Sequence, residues 1–141
     1  MNRRILAAAL VLAVSQVDAQ VLRVVPHSNL NILDPIWTTQ FMARNHGYMV
    51  YDTLFSTDES GEVKPQMVGK YEASADQLTH TFTLRDGLLW HDGQPVTAED
   101  CVASIKRWAA KDATGQKLAT FIASMDVVDA KTFVIKLKEP T

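Results

Sequence analysis

The sequence predicts an α/β fold of the mixed α+β kind, and three observations carry that expectation. Residues Thr79 to Leu84 alternate with period two, Thr79, Thr81 and Thr83 against His80, Phe82 and Leu84, which is the pattern of a half-buried strand. Ala98, Cys101, Val102, Ile105, Trp108 and Ala109 recur at helical spacing, with Thr97 placed as N-cap and Asp100 three residues on as in a capping box. Between these segments, Asp86-Gly87 and Asp92-Gly93 are turn dipeptides, because glycine takes positive φ without penalty.

The remaining elements follow in chain order. Val21 to Val25 is β-branched and apolar and reads as a strand ended by Pro26. His27 to Thr39, punctuated by Asn, Asp, Pro and Ser, reads as a loop. A helix is expected from about Thr39 to Thr53, capped by Thr38 or Thr39. Leu54 to Thr57 and Glu62 to Lys64 flank Asp58-Glu59-Ser60-Gly61 as a hairpin, and Pro65 to Val68 is a short turn. Lys70 to Ser74 pairs with the Thr79 strand, Phe82 and Leu84 facing the core. A second helix is expected over about Thr114 to Met125 with Leu118, Phe121, Ile122 and Met125 inward, then a hairpin of Asp126 to Asp129 and Thr132 to Leu137.

The first 19 residues have the layout of a secretory signal: Arg3 and Arg4, the unbroken apolar run Ile5 to Val14, and Val17-Asp18-Ala19 before a new first residue Gln20. Ten apolar residues are too few to span a bilayer, which takes about 20. No cysteine stands near the cut to carry a lipid, so the expected product is soluble and periplasmic, neither lipid-anchored nor inserted in the membrane. The chain of 141 residues has a formal net charge of −2, one unit more negative once Arg3, Arg4 and Asp18 are removed, which offers nothing to nucleic acid or an anionic membrane surface. Cys101 is the lone cysteine and forms no internal disulfide; its place on the helix stripe predicts burial.

The stretch from Thr81 to Trp108, TFTLRDGLLWHDGQPVTAEDCVASIKRW, resembles the signature of extracytoplasmic solute-binding proteins of the dipeptide/oligopeptide type, solute-binding family 5. Matching positions are Phe82, Leu84, Arg85, Asp86, Gly87, Trp90, Asp92, Gly93, Pro95, Thr97, Ala98, Asp100 and Ser104. Tyr51 to Phe55, Pro65 to Val68 and Leu22 to Val25 are similar to upstream parts of the pattern. Cys101 departs from it, where a small aliphatic residue is usual, but a thiol packs much as a methyl-sized hydrophobe does. The resemblance implies two α/β lobes closing on a solute, with one lobe carrying an extra subdomain. Residues 20–45 would start the first lobe and 46–141 would build much of the subdomain, as an N-terminal fragment whose cleft is completed by residues beyond it. It also implies ABC transporter permease subunits as partners and short peptides as the default ligand. Related proteins bind sugars, opines, nickel complexes or haem, and the same fold serves sensors or chaperones.

Most signature residues read as architectural. Arg85 is expected to pair with Asp86, Asp92 or Asp100, and Trp90, Trp108 and Phe82 to lie in the core. The better ligand-binding candidates lie in the loop after the first expected strand: Trp37 for stacking, Thr38 and Thr39 as hydroxyl donors, with Asp34 and Ile36 beside them. The free N–H groups of the following helix suit an anionic group, and His46 and Tyr48 add polar groups on that helix. No catalytic residue, metal ligand or cofactor is expected. His27, His46, His80 and His91 are scattered, and the Gly-x-Ser-x-Gly and His-Glu-x-x-His patterns of a secreted hydrolase do not occur.

Overall fold

The computed structural model describes residues 21 and 23–140, so the expected signal peptide, residues 1–19, lies outside the described residues. Helix α1 (Phe41–Val50) follows an irregular N-terminal segment. Strands β1 (Phe55–Thr57) and β2 (Val63–Pro65) form a hairpin, and β3 (Val68–Ala73) pairs with β4 (Thr79–Leu84). Helices α2 (Ala98–Lys111) and α3 (Ala113–Phe121) come next, then β5 (Ile122–Val127) and β6 (Thr132–Leu137). The larger sheet is wholly antiparallel in the order β3-β4-β6-β5. The mixed α+β expectation is met.

The core sits between one face of this sheet and α2. Phe133 of β6 is 0% exposed, and Leu84, Leu88, Ala98, Cys101 and Val102 are buried around it, flanked by Phe82, Ile105, Met125 and Ile135. The apolar stripe read from α2 is thus the face that packs, and burial of each large side chain there contributes about 1.5–3 kcal/mol. Phe82 and Leu84 point inward as expected. The threonines of β4 are half-buried, because β4 has a paired strand on each side.

Local signals govern the ends of the elements. The Asp58 carboxylate accepts hydrogen bonds from the Ser60 and Glu62 amides, and Gly61 at φ 81° closes the β1–β2 turn. Thr97 caps α2 in a complete capping box with Asp100, and the Ala98 amide donates to the Ala130 carbonyl, fastening the helix start to the β5–β6 hairpin. The Asp112 carboxylate accepts from the Thr114 and Gly115 amides and so starts α3 directly after α2.

The structure departs from the sequence expectations in several places. Val21 and Arg23 to Val25 form no strand; Val25 is 93% exposed, and none of the six strands among the described residues offers it a ladder. Helix α1 is shorter than 39–53. Residues after it are drawn into extended form by Gln66, whose side chain accepts from the Thr53 amide at 2.6 Å and donates to the Asp52 carboxylate at 2.9 Å. The second helix stops at Phe121, and Ile122 to Met125 belong to β5, with Met125 opposite Ile135. Arg85 forms no ion pair among the described residues. Its Nε donates to the Gln66 carbonyl, while Asp86 pairs with Lys131.

Candidate ligand-binding site

The loop expected over 27–39 is present, and it contains a tight turn at Asp34-Pro35-Ile36-Trp37. The Asp34 carboxylate accepts the Ile36 amide at 3.0 Å, and the Asp34 carbonyl accepts the Trp37 amide at 3.2 Å. Aspartate before proline favours this arrangement, since its side chain satisfies a backbone donor two residues on. Pro35 rests directly on α1: a Cβ at Gly47 would lie 3.0 Å from both Cβ and Cγ of Pro35, so the missing side chain at 47 is what lets the loop approach the helix.

Helix α2 holds the other side of the turn. Arg107 donates two hydrogen bonds to the Asp34 carboxylate, one through each terminal guanidinium nitrogen. That contact, helped by the Ile36 amide and opposed by partial desolvation, holds the Asp34 carboxyl below its ordinary value. Lys111 places its ammonium 4.3 Å from the centroid of the Trp37 indole. Trp37 nevertheless stays 58% exposed.

The other expected site residues are dispersed around this turn. The Thr38 hydroxyl accepts the Gln40 amide at 3.2 Å, two residues before the N-cap position at Gln40. Helix α1 carries no side-chain cap at Gln40, so its first amides are left to other acceptors. Thr39 is exposed and His46 half-buried on α1.

A cavity of about 1190 Å³ opens between the 33–36 turn, the end of α1 with residues 51–55, the Leu88–His91 segment and α2. Asp34 and Ile36 line it; Trp37, Thr38, Thr39 and His46 do not. Tyr48, Tyr51, Trp90 and Arg107 line it too. Trp90 is a correction to the expected core placement: it is 44% exposed and donates through Nε1 toward Asp100 at 3.4 Å. The two flanking Asp-Gly turns were the available signal, since they put Leu89 and Trp90 on a projecting tip. Trp108 is half-buried and also reaches the cavity.

Chemically, the arrangement offers aromatic faces, hydroxyls and a fixed ion pair, which are means of holding a solute. Cys101 lines the inner wall, and burial, with the neighbouring Asp100 charge, pushes its thiol up to about 11, so it stays protonated at neutral pH. Among the described residues, no three His, Cys, Asp or Glu side chains converge in a way that would hold a metal ion. No helix among them is long and apolar enough to cross a membrane.

Comparison with known proteins gives a consistent result. Residues 62–141 match the model of bacterial extracellular solute-binding proteins, family 5, middle. A protein of Sinorhizobium fredii named "probable peptide ABC transporter periplasmic-binding protein" is 52% identical over 112 residues, covering 79% of this chain and 21% of that protein. The glutathione-binding protein of Salmonella typhimurium is 32% identical over 115 residues, covering 80% of this chain and 22% of the relative. Among solved structures, a periplasmic binding protein from Agrobacterium tumefaciens R10 in complex with mannopinic acid superposes with a TM-score of 0.67 at 31% identity, over 77% of this chain and 23% of that one. The chain spans about a fifth of the length of the curated relatives it matches. On the family match and the 52% identity together, this chain belongs to family 5 of the bacterial extracellular solute-binding proteins.

Proposed function

We propose that the protein carrying this chain binds short peptides in the periplasm and delivers them to the permease subunits of an ABC importer, with no chemical step of its own. The observation that carries this reading is the 52% identity to a relative named for peptide transport. The character of the site supports it, because the turn at 34–37 and the cavity beside it present binding groups, while the one thiol is kept protonated. In this reading residues 1–19 are a removed signal that leaves a soluble protein without a lipid anchor. Residues 20–45 begin one lobe, and 46–141 build much of an extra subdomain. Ligand is held by Asp34, Ile36, Trp37, Thr38, Thr39 and His46 together with groups from an opposing lobe. A ligand that contacts both lobes only when they are closed shifts the population toward closure. A second reading, capture of another small solute, is favoured by the solved structure in complex with mannopinic acid.

The test is a thermal-shift screen of the full-length protein against di-, tri- and oligopeptides, opines and sugars. Peptide binding is expected to raise the melting temperature with concentration, roughly as RT ln(1 + [L]/Kd). A shift with opines or sugars and none with peptides would replace the first reading by the second. Trp37→Ala is expected to weaken binding by about 1 kcal/mol or more, measured by calorimetry. Undiminished affinity with the fold intact would take the 27–39 loop out of the site.

A further inference from the structure

The N-terminal loop and α1 are joined to the rest of the chain by very few polar contacts. Among the described residues, the only side-chain hydrogen bonds between residues 23–50 and residues 54–140 are the two that Arg107 donates to Asp34. Four residues further along α2, Lys111 lies over Trp37. Positions four apart on a helix share a face, so both cations point to the same side. Their targets, Asp34 and Trp37, are the two ends of one turn, tied to each other by the Trp37 amide on the Asp34 carbonyl. The carboxylate that Arg107 grips is itself fixed by the Ile36 amide, so the fork meets a preset acceptor.

The geometry points to Arg107 and Lys111 as positioning residues for the ligand-binding loop: a two-point basic clamp on α2 that sets where Trp37, Thr38 and Thr39 stand relative to the cavity. The inference rests on the reading of this loop as part of the ligand site. It assigns a role to the exposed face of α2, whose opposite face builds the core. It also separates the two cations. Arg107 acts through a planar fork that lysine reproduces only as a point charge, whereas Lys111 acts through a cation over an aromatic face.

The experiment uses the full-length protein and the variants Arg107→Met, Asp34→Asn, their double mutant, Arg107→Lys and Lys111→Met. Asp34→Asn keeps an acceptor for the Ile36 amide and removes the charge together with one of the two oxygens that Arg107 grips. Amide hydrogen exchange over residues 33–38 is measured without ligand, and affinity is measured for a pool of random tripeptides. Arg107→Met and Asp34→Asn are each expected to speed exchange of the Ile36 and Trp37 amides by about threefold to fivefold, the range of an exposed ion pair. The double mutant is expected to add little, because both changes remove one interaction. Salt at about 0.5 M should speed exchange in the wild type and hardly alter Arg107→Met. Arg107→Lys should recover part of the protection, and Lys111→Met should loosen Trp37 alone. Tripeptide affinity should fall about threefold or more in Arg107→Met with the melting temperature nearly unchanged.

Unchanged exchange in Arg107→Met and Asp34→Asn would overturn the clamp. Faster exchange with unchanged tripeptide affinity would overturn its role in positioning the loop for ligand. If the wild type binds neither the tripeptides nor any other peptide of the thermal-shift screen, the peptide reading falls, and the exchange data still decide whether the two cations hold the loop.

Discussion

The ring of Phe82 lies nearly parallel to that of Phe133, with centroids 4.9 Å apart and planes 14° from parallel. The two residues are direct cross-strand partners between β4 and β6, so this pair ties the centre of the sheet to the core beneath α2. Phe133→Ala is therefore expected to cost about 3–5 kcal/mol, through lost burial and the cavity left behind. Denaturant unfolding of the full-length protein measures it. A loss below about 1 kcal/mol would mean that the core does not centre on Phe133.

Thr97 and Asp100 satisfy each other at the start of α2. The Thr97 hydroxyl accepts the Asp100 amide at 3.3 Å, and the Asp100 carboxylate accepts the Thr97 amide at 2.8 Å. Thr97→Ala is expected to cost about 0.5–2 kcal/mol with ligand affinity hardly changed. The hydrogen bonds from the Thr97 amide and hydroxyl hold the Asp100 carboxyl below its ordinary value of 3.8. A carboxyl depressed in the folded state adds stability that is complete above the unfolded value and is lost as pH falls through the folded one. An Asp100→Asn variant should thus differ from the wild type at neutral pH and converge with it as the pH drops below about 4. A large affinity loss in Thr97→Ala at unchanged stability would instead place the cap in the ligand site.

Cys101 is 7% exposed, and its thiol is pushed up to about 11. Labelling by a thiol reagent at neutral pH is expected to be slow in the native protein and fast in denaturant, because the reactive thiolate is both scarce and shielded. Rapid labelling of the native protein would show that α2 does not bury this face.

Gly115 stands where α3 folds back on α2. A Cβ there would lie 2.8 Å from the Cα of Ala109 and 3.0 Å from the Trp108 carbonyl oxygen, both backbone atoms with little freedom to yield. Gly115→Ala should gain helix propensity worth up to about 1 kcal/mol and still destabilise, since overpacking costs about 1–3 kcal/mol. Thermal unfolding decides the sign; a stabilised variant would mean that α3 does not pack this closely on α2.

What the sequence determined by itself was the local chemistry. The capping box at Thr97, the Asp-Gly turns, the hairpin at Asp58, the period-two run of β4 and the apolar stripe of α2 all depend on residues within a turn or two of each other, and the folded chain uses each of them. The family signature was legible for the same reason, being made of those caps and turns. What depended on distant partners was decided by tertiary structure. Ile122 to Met125 carries a helical apolar spacing, and pairing with β6, with a register shift between Ile122 and Ser124, makes it strand instead. The ends of α1, the freedom of Val21 and Arg23 to Val25 from any sheet, and the choice of Lys131 over Arg85 as the partner of Asp86 rest on contacts that the local pattern does not encode. The candidate site divides in the same way. Asp34 and Trp37 were readable as loop residues with binding chemistry. Their attachment to Arg107 and Lys111, some 73 positions along the chain for the ion pair, exists because the fold brings α2 against the loop.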